Sequence, residues 1–224
     1  MRLMESQALS SMTLSRNSLR KRYAQCVAGL SKADFVAPLL LRLYLAPIFW
    51  MAGWNKLSNF SDTVEWFGNS EWGLGLPLPT LMAGLAAGTE LLGAVLLITG
   101  LAGRLITVPL LFTMLVAMFS VHWPNGWLAV AEGEGLFSTE RTMEAVERLS
   151  QAKDILREHG NYEYLTEHGS LVMLNNGIEF GATYFLMLLS LLFTGAGRWL
   201  SLDFWIARVA PPRAASTGLT AAYD

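Results

Sequence analysis

Two sets of polar residues in this 224-residue chain are of types that do chemistry. Lys56, His122 and Glu179 each stand at the edge of an apolar run. An imidazole beside a carboxylate can exchange protons near neutral pH or hold the head group of a quinone. Polar residues that merely cap helix ends at a membrane surface are the competing reading. Arg42 and Glu90 form the second set, and each lies inside an apolar run. Glu90 is about 15 Å from the outer end of its run, taking 1.5 Å per helical residue. By the same measure Arg42 comes within reach of it, so the two can form a buried charge pair. Snorkelling of Arg42 to the near interface is the alternative. Met114, Met118 and His122 recur at i, i+4 and i+8. Thioethers and an imidazole on one stripe suit Cu(I), although core packing with a terminal histidine explains the same spacing.

Other chemistry is excluded by what the chain lacks. Its single cysteine, Cys26, rules out an internal disulfide, a CxxC redox pair and a cysteine zinc cluster. There is no GxSxG, P-loop, HExxH or dinucleotide fingerprint. No pair of histidines is spaced to hold haem. Net charge is −2, so there is no basic field and no nucleic-acid partner is expected.

The elements that must position these residues are membrane spans. Only 15% of residues are charged and 53% are hydrophobic, whereas soluble domains run near ~25% charged. Four apolar runs, at about 35–54, 80–101, 105–121 and 177–195, are each near the ~20 residues that cross a ~30 Å hydrocarbon core. Pro47 and Pro109 predict distortions in the first and third. Residues 55–78 read as a loop, with Trp66 and Trp72 at the interface and Pro79 opening the second span. A tight turn at 102–104 joins the second span to the third. Ala83, Ala87, Gly93 and Ala94 share the helical face of Glu90, so that face should meet protein rather than lipid. Between the third and fourth spans, residues 123–176 are polar. Ser138 reads as an N-cap for a helix running to about His159, followed by a short helix near 162–168.

The predicted fold is all-α: an integral membrane four-helix bundle with an amphipathic helical cap at 128–172, between the third and fourth spans. Residues 1–34 and 207–224 are polar tails. The N-terminal segment, the turn and the C-terminal tail hold ten Lys/Arg against five in the other two loops. The positive-inside rule then places both termini in the cytoplasm. This topology gathers Lys56, His122 and Glu179 at the outer face, where they are expected to line one cavity beneath the cap.

Four stretches carry a family resemblance: RLYLAPIFWMAGWNKL (42–57), PLPTLMAGLAAGTELLGAVLLITGLAGR (77–104), TMLVAMFSVHWPNG (113–126) and GAGRWLSLD (195–203). Together they resemble the DoxX family of small four-helix membrane proteins over residues 35–206. The resemblance implies a bacterial inner-membrane protein, with some relatives serving as subunits of quinone-linked oxidoreductases. It also implies recurrent polar sites at Arg42, Lys56, Glu90, Arg104, His122, Arg198 and Asp203. The long acidic insert resembles a subgroup found with copper-responsive modified-peptide biosynthesis genes. The expected function is a small subunit of a membrane oxidoreductase assembly handling quinone or protons. A redox subunit, or a protein at the outer face, is its expected partner. The alternatives are a non-catalytic membrane scaffold and a copper-linked accessory of modified-peptide maturation. Whether this chain is itself an enzyme is left open.

Overall fold

The computed structural model describes residues 20–29 and 31–209. The first nineteen residues of the N-terminal tail and the tail beyond residue 209 lie outside the described residues. Every regular element among those described is helical. One isolated antiparallel bridge, Val130 with Leu174, accompanies them.

Residues 20–29 form α1. Then follow α2 (Val36–Ser58), α3 (Phe60–Gly68), α4 (Pro79–Thr99) and α5 (Gly103–Ala117). α5 continues through a π-helical turn, Met118–His122, and a 3-10 turn, Trp123–Asn125. α6 (Glu140–His159), α7 (Tyr162–Thr166), α8 (Glu179–Thr194) and α9 (Leu202–Val209) complete the order. Among the described residues three helices are long and apolar enough to cross a membrane: the one ending at Ser58, α4, and α5 with its extension to Asn125. α8 is apolar but only 16 residues long.

α2 packs along α4 and α5 along α8, while α4–α5 and α2–α8 contacts close the ring. One core runs through all four: Leu45 and Phe49 from α2, Ala94 and Leu97 from α4, Leu110 from α5, Leu188 and Leu191 from α8. Outward-facing Leu85, Leu92, Ile98 and Phe112 remain exposed, as lipid contact requires. In lipid the helices associate through close packing rather than apolar transfer. The small residues of α4 provide it: Ala83, Ala87, Gly93 and Ala94 are all buried with Glu90. Leu110 of α5 packs directly over Gly93.

The segment after α2 is not the open loop predicted. α2 runs to Ser58, and α3 forms from Phe60, burying Phe67 and packing on α4. The Gly/Pro-rich stretch folds back over the end of α3. Leu74 and Leu76 donate to the carbonyls of Trp66 and Phe67, at 2.9 and 2.7 Å, and the Asn69 side chain accepts from the Glu71 and Trp72 amides. Nine residues with one buried side chain leave little periodicity to detect. Pro79 occupies the first turn of α4, as expected.

In the polar insert, Thr139 rather than Ser138 caps α6. The Thr139 and Thr142 side chains bond reciprocally to each other's backbone amides, which shifts the cap by one residue. The neck of the insert is a short paired segment in which residues 126–131 face 173–179. Asn175 and Asn176 both donate to the Ala129 carbonyl, and Gly177 donates to Leu128, each at 2.9 Å. The buried Asn175 side chain donates to the Asn125 and Leu128 carbonyls and accepts from Arg141 of α6. Beyond that anchored first turn α6 is largely exposed, with Ile155 61% accessible.

A β-carbon on Gly177 would lie 2.5–2.6 Å from three backbone carbonyls of the neck. Gly177→Ala is therefore expected to open the neck. Protease cleavage within 131–173 should rise at least severalfold while the helix core stays protected.

Candidate functional site

α2 and α4 lie close together at Gly53, where an added β-carbon would lie 3.0 Å from the β-carbon of Glu90. One turn further along α2, Lys56 turns back to Glu90. Its Nζ donates to Oε1 at 2.9 Å and to Oε2 at 2.7 Å. The Glu90 side chain is 5% exposed and that of Lys56 25%. This is a salt bridge within the helix core whose lysine side retains access to the surroundings. Taking both charges out of water costs several kcal/mol, which their mutual attraction offsets only at close geometry.

The Arg42–Glu90 pair expected from the sequence is not formed. Arg42 is 2% exposed and binds backbone carbonyls only. Nε donates to Leu97 and one terminal nitrogen to Ala196, both at 2.6 Å. The other terminal nitrogen donates to Ile98 at 2.9 Å and Leu200 at 3.0 Å. Leu97 and Ile98 belong to the last turn of α4, whose carbonyls have no partner within the helix. A cation there also opposes the negative end of the helix dipole. Arg42 thus ties the end of α4 to the chain that follows α8. Gly100, in the left-handed region at φ 65°, leaves the space that the guanidinium fills.

Asp203 answers Arg42 on the other side of the turn. Its carboxylate accepts from the Ala102 and Gly103 amides, at 2.7 and 2.9 Å, and so caps α5 from a distance in sequence. Its own amide and the Ser201 hydroxyl satisfy the Gly100 carbonyl. Asp203→Ala is expected to cost about 1–2 kcal/mol, the usual loss of an N-cap. It should appear as a lower melting temperature in detergent.

Hydrogen bonds divide the three residues expected to share an outer cavity. Lys56 is committed to Glu90. Glu179 opens α8 and accepts from the Ala129 amide at 2.9 Å. His122 Nδ1 donates to the Asn176 carbonyl at 2.9 Å, and Asn125 donates to the same oxygen at 3.1 Å. His122 and Glu179 therefore both hold the neck of the insert. Met114 and Met118 keep their helical spacing, the Met118 amide donating to the Met114 carbonyl, but the π-helical turn from Met118 to His122 takes the histidine off the stripe, because such a turn carries more residues than an α-turn. Met118 is buried against Gly181 of α8, and Met114 packs against the core. Among the described residues no group of three or more His, Cys, Asp or Glu side chains could hold a metal ion.

A family model described as DoxX matches residues 37–123. A Bacillus subtilis (strain 168) protein named "Putative oxidoreductase CatD" is 31% identical over 103 residues, covering 46% of this chain and 72% of that protein. The chain belongs to the DoxX family. No solved structure matches it.

The region matched to DoxX holds Arg42, Lys56, Glu90, Arg104 and His122. The polar insert and the Arg198–Asp203 segment lie beyond it. Within this DoxX protein, Arg104 donates to the Phe193 carbonyl at the end of α8. Arg198 pairs with Asp34 at 2.6 Å. Sequence reasoning missed both the capping by Asp203 and the partner of Glu90. The only local signal for the latter was Gly53, a small residue three positions before a lysine.

Proposed function

We propose that this DoxX-family membrane protein is the small subunit of a membrane oxidoreductase assembly, passing protons to a membrane quinone while a partner carries the electrons. The Lys56–Glu90 pair carries the proposal. Glu90 is the buried carboxylate among the described residues, and its counter-ion sits on the more open side. An ionisable residue at membrane depth marks a proton or ligand pathway more often than a scaffold. Quinone reduction consumes protons as well as electrons. Within the pair a proton can pass from the ammonium to the carboxylate with no change in net charge, and a proton then given up by Glu90 to the quinone is replaced at Lys56, the more open side. The oxidoreductase name of the Bacillus relative supports the same reading.

In this reading α2, α4, α5 and α8 are the four spans of a bundle in a bacterial inner membrane. Residues 35–206 form the transmembrane domain, with cytoplasmic tails on either side. The ten-to-five distribution of Lys and Arg supports a cytoplasmic location for both termini. The insert between α5 and α8 is then an outer cap, available to a partner. The scaffold reading draws on one specific observation, that His122, Glu179 and Asn175 all serve backbone groups of the neck. Copurification from native membranes, with identification of bound proteins and extraction of quinone, separates the two. A redox protein and quinone recovered in stoichiometric amount support the proposal. A lone chain without quinone would reject it.

A further inference from the structure

A cavity of about 900 Å³ opens between the start of α2, the start of α5 and the segment from the end of α8 to α9. It lies at the end of the bundle where Arg42 and Asp203 clamp the α4–α5 turn, opposite the insert. Its polar lining includes Arg104, Arg198, Asp34 and Asp203. Pro38, Leu105 and Phe204 line it with apolar surface. The charges are not evenly compensated. Arg198 is paired with Asp34, and both oxygens of Asp203 are taken by backbone amides. Arg104 has no carboxylate partner among the described residues. It spends one terminal nitrogen on the Phe193 carbonyl, at 3.1 Å, which leaves other donors of its fork unused.

The surroundings set the depth of this cavity. α9 carries Phe204 and Trp205, and the Trp205 indole donates to the Trp199 carbonyl at 2.7 Å. Arg208 lies 4.5 Å over the Phe204 ring. Tryptophans and arginines on a short amphipathic helix are the composition of a membrane–water interface. A guanidinium with unused donors, at interface depth and beside apolar walls, matches an anionic head group joined to acyl chains. Arginine suits phosphate because its donors engage two oxygens at once.

We propose that this cavity binds the phosphate of an anionic phospholipid, held by Arg104 with Arg198 beside it and with the glycerol and upper chains against Pro38, Leu105 and Phe204. The site is separate from the Lys56–Glu90 pair and does not depend on its role. The bound phosphate completes the coordination of Arg104 and joins the start of α5 to the segment after α8. Asp34 competes with the phosphate for Arg198.

The test is native mass spectrometry and thermal unfolding of the full chain in detergent, titrated with phosphatidylglycerol, phosphatidylcholine or inorganic phosphate. Phosphatidylglycerol should bind and raise the melting temperature, and phosphatidylcholine should bind at least about tenfold more weakly. Arg104→Gln should reduce phosphatidylglycerol binding about tenfold, the loss of one charge-assisted contact. Asp34→Asn should increase binding although it removes a salt bridge, a result that a purely structural role for these residues does not produce. Arg198→Gln provides a second variant should Arg104→Gln fold poorly, and it should also weaken binding. Equal binding of the two lipids, or no change in either arginine variant, would overturn the proposal. Saturation by inorganic phosphate alone, with no added gain from lipid, would overturn the lipid as its source.

Discussion

Replacing Arg42 by glutamine should abolish accumulation of the folded protein. Four carbonyls lose their donor at once. Each buried polar group left unsatisfied costs about 1–3 kcal/mol. Against a total stability of about 5–15 kcal/mol, the summed loss is decisive. Arg42→Lys should fail almost as badly, because an ammonium is a point donor and cannot span carbonyls from Leu97, Ile98, Ala196 and Leu200. Fluorescence-detected size-exclusion yield measures both variants. A glutamine variant with wild-type yield would show that the clamp is dispensable.

The second large effect belongs to Lys56 and Glu90, and here the double variant should behave unlike either single one. Lys56→Met leaves a carboxylate unpaired in the helix core, at a cost of about 3–5 kcal/mol. Glu90→Leu should cost less, because the lysine side chain is 25% exposed and can turn outward. In Lys56→Met/Glu90→Leu both charges are gone and apolar volume replaces them. Removing a whole buried pair in this way is commonly neutral or stabilising by about 1–4 kcal/mol. The melting temperature of the double variant should therefore return to that of the wild type or exceed it.

The polar contacts were much less legible from sequence than the helices. The four apolar runs and the small residues around Glu90 placed α2, α4, α5 and α8, and turned Glu90 toward protein. The partner of Glu90 was misread because depth was counted from helix ends. α2 continues to Ser58, so Lys56 lies within a helix rather than just past one. Gly53 then brings that turn against Glu90. Arg42, meanwhile, is level with the end of α4, where unpaired backbone carbonyls compete for it. Such carbonyls are present at every helix end and leave no trace in residue types. The same holds for Asp203, whose partners are amides about a hundred positions away. The role of His122 also turns on a backbone oxygen, that of Asn176. α3 was missed because its nine residues bury one side chain and precede a Gly/Pro-rich stretch that reads as loop.

The claim that the Lys56–Glu90 pair works rather than merely holds α2 to α4 is tested most directly in the double variant. Lys56→Met/Glu90→Leu, once shown to melt no lower than the wild type, would be reconstituted with its native membrane partners and assayed for quinone reduction. Loss of at least about a hundredfold in turnover at wild-type stability is the predicted result, comparable to removal of a positioned proton donor. Turnover at the wild-type rate would contradict the account and leave the pair a structural fastening.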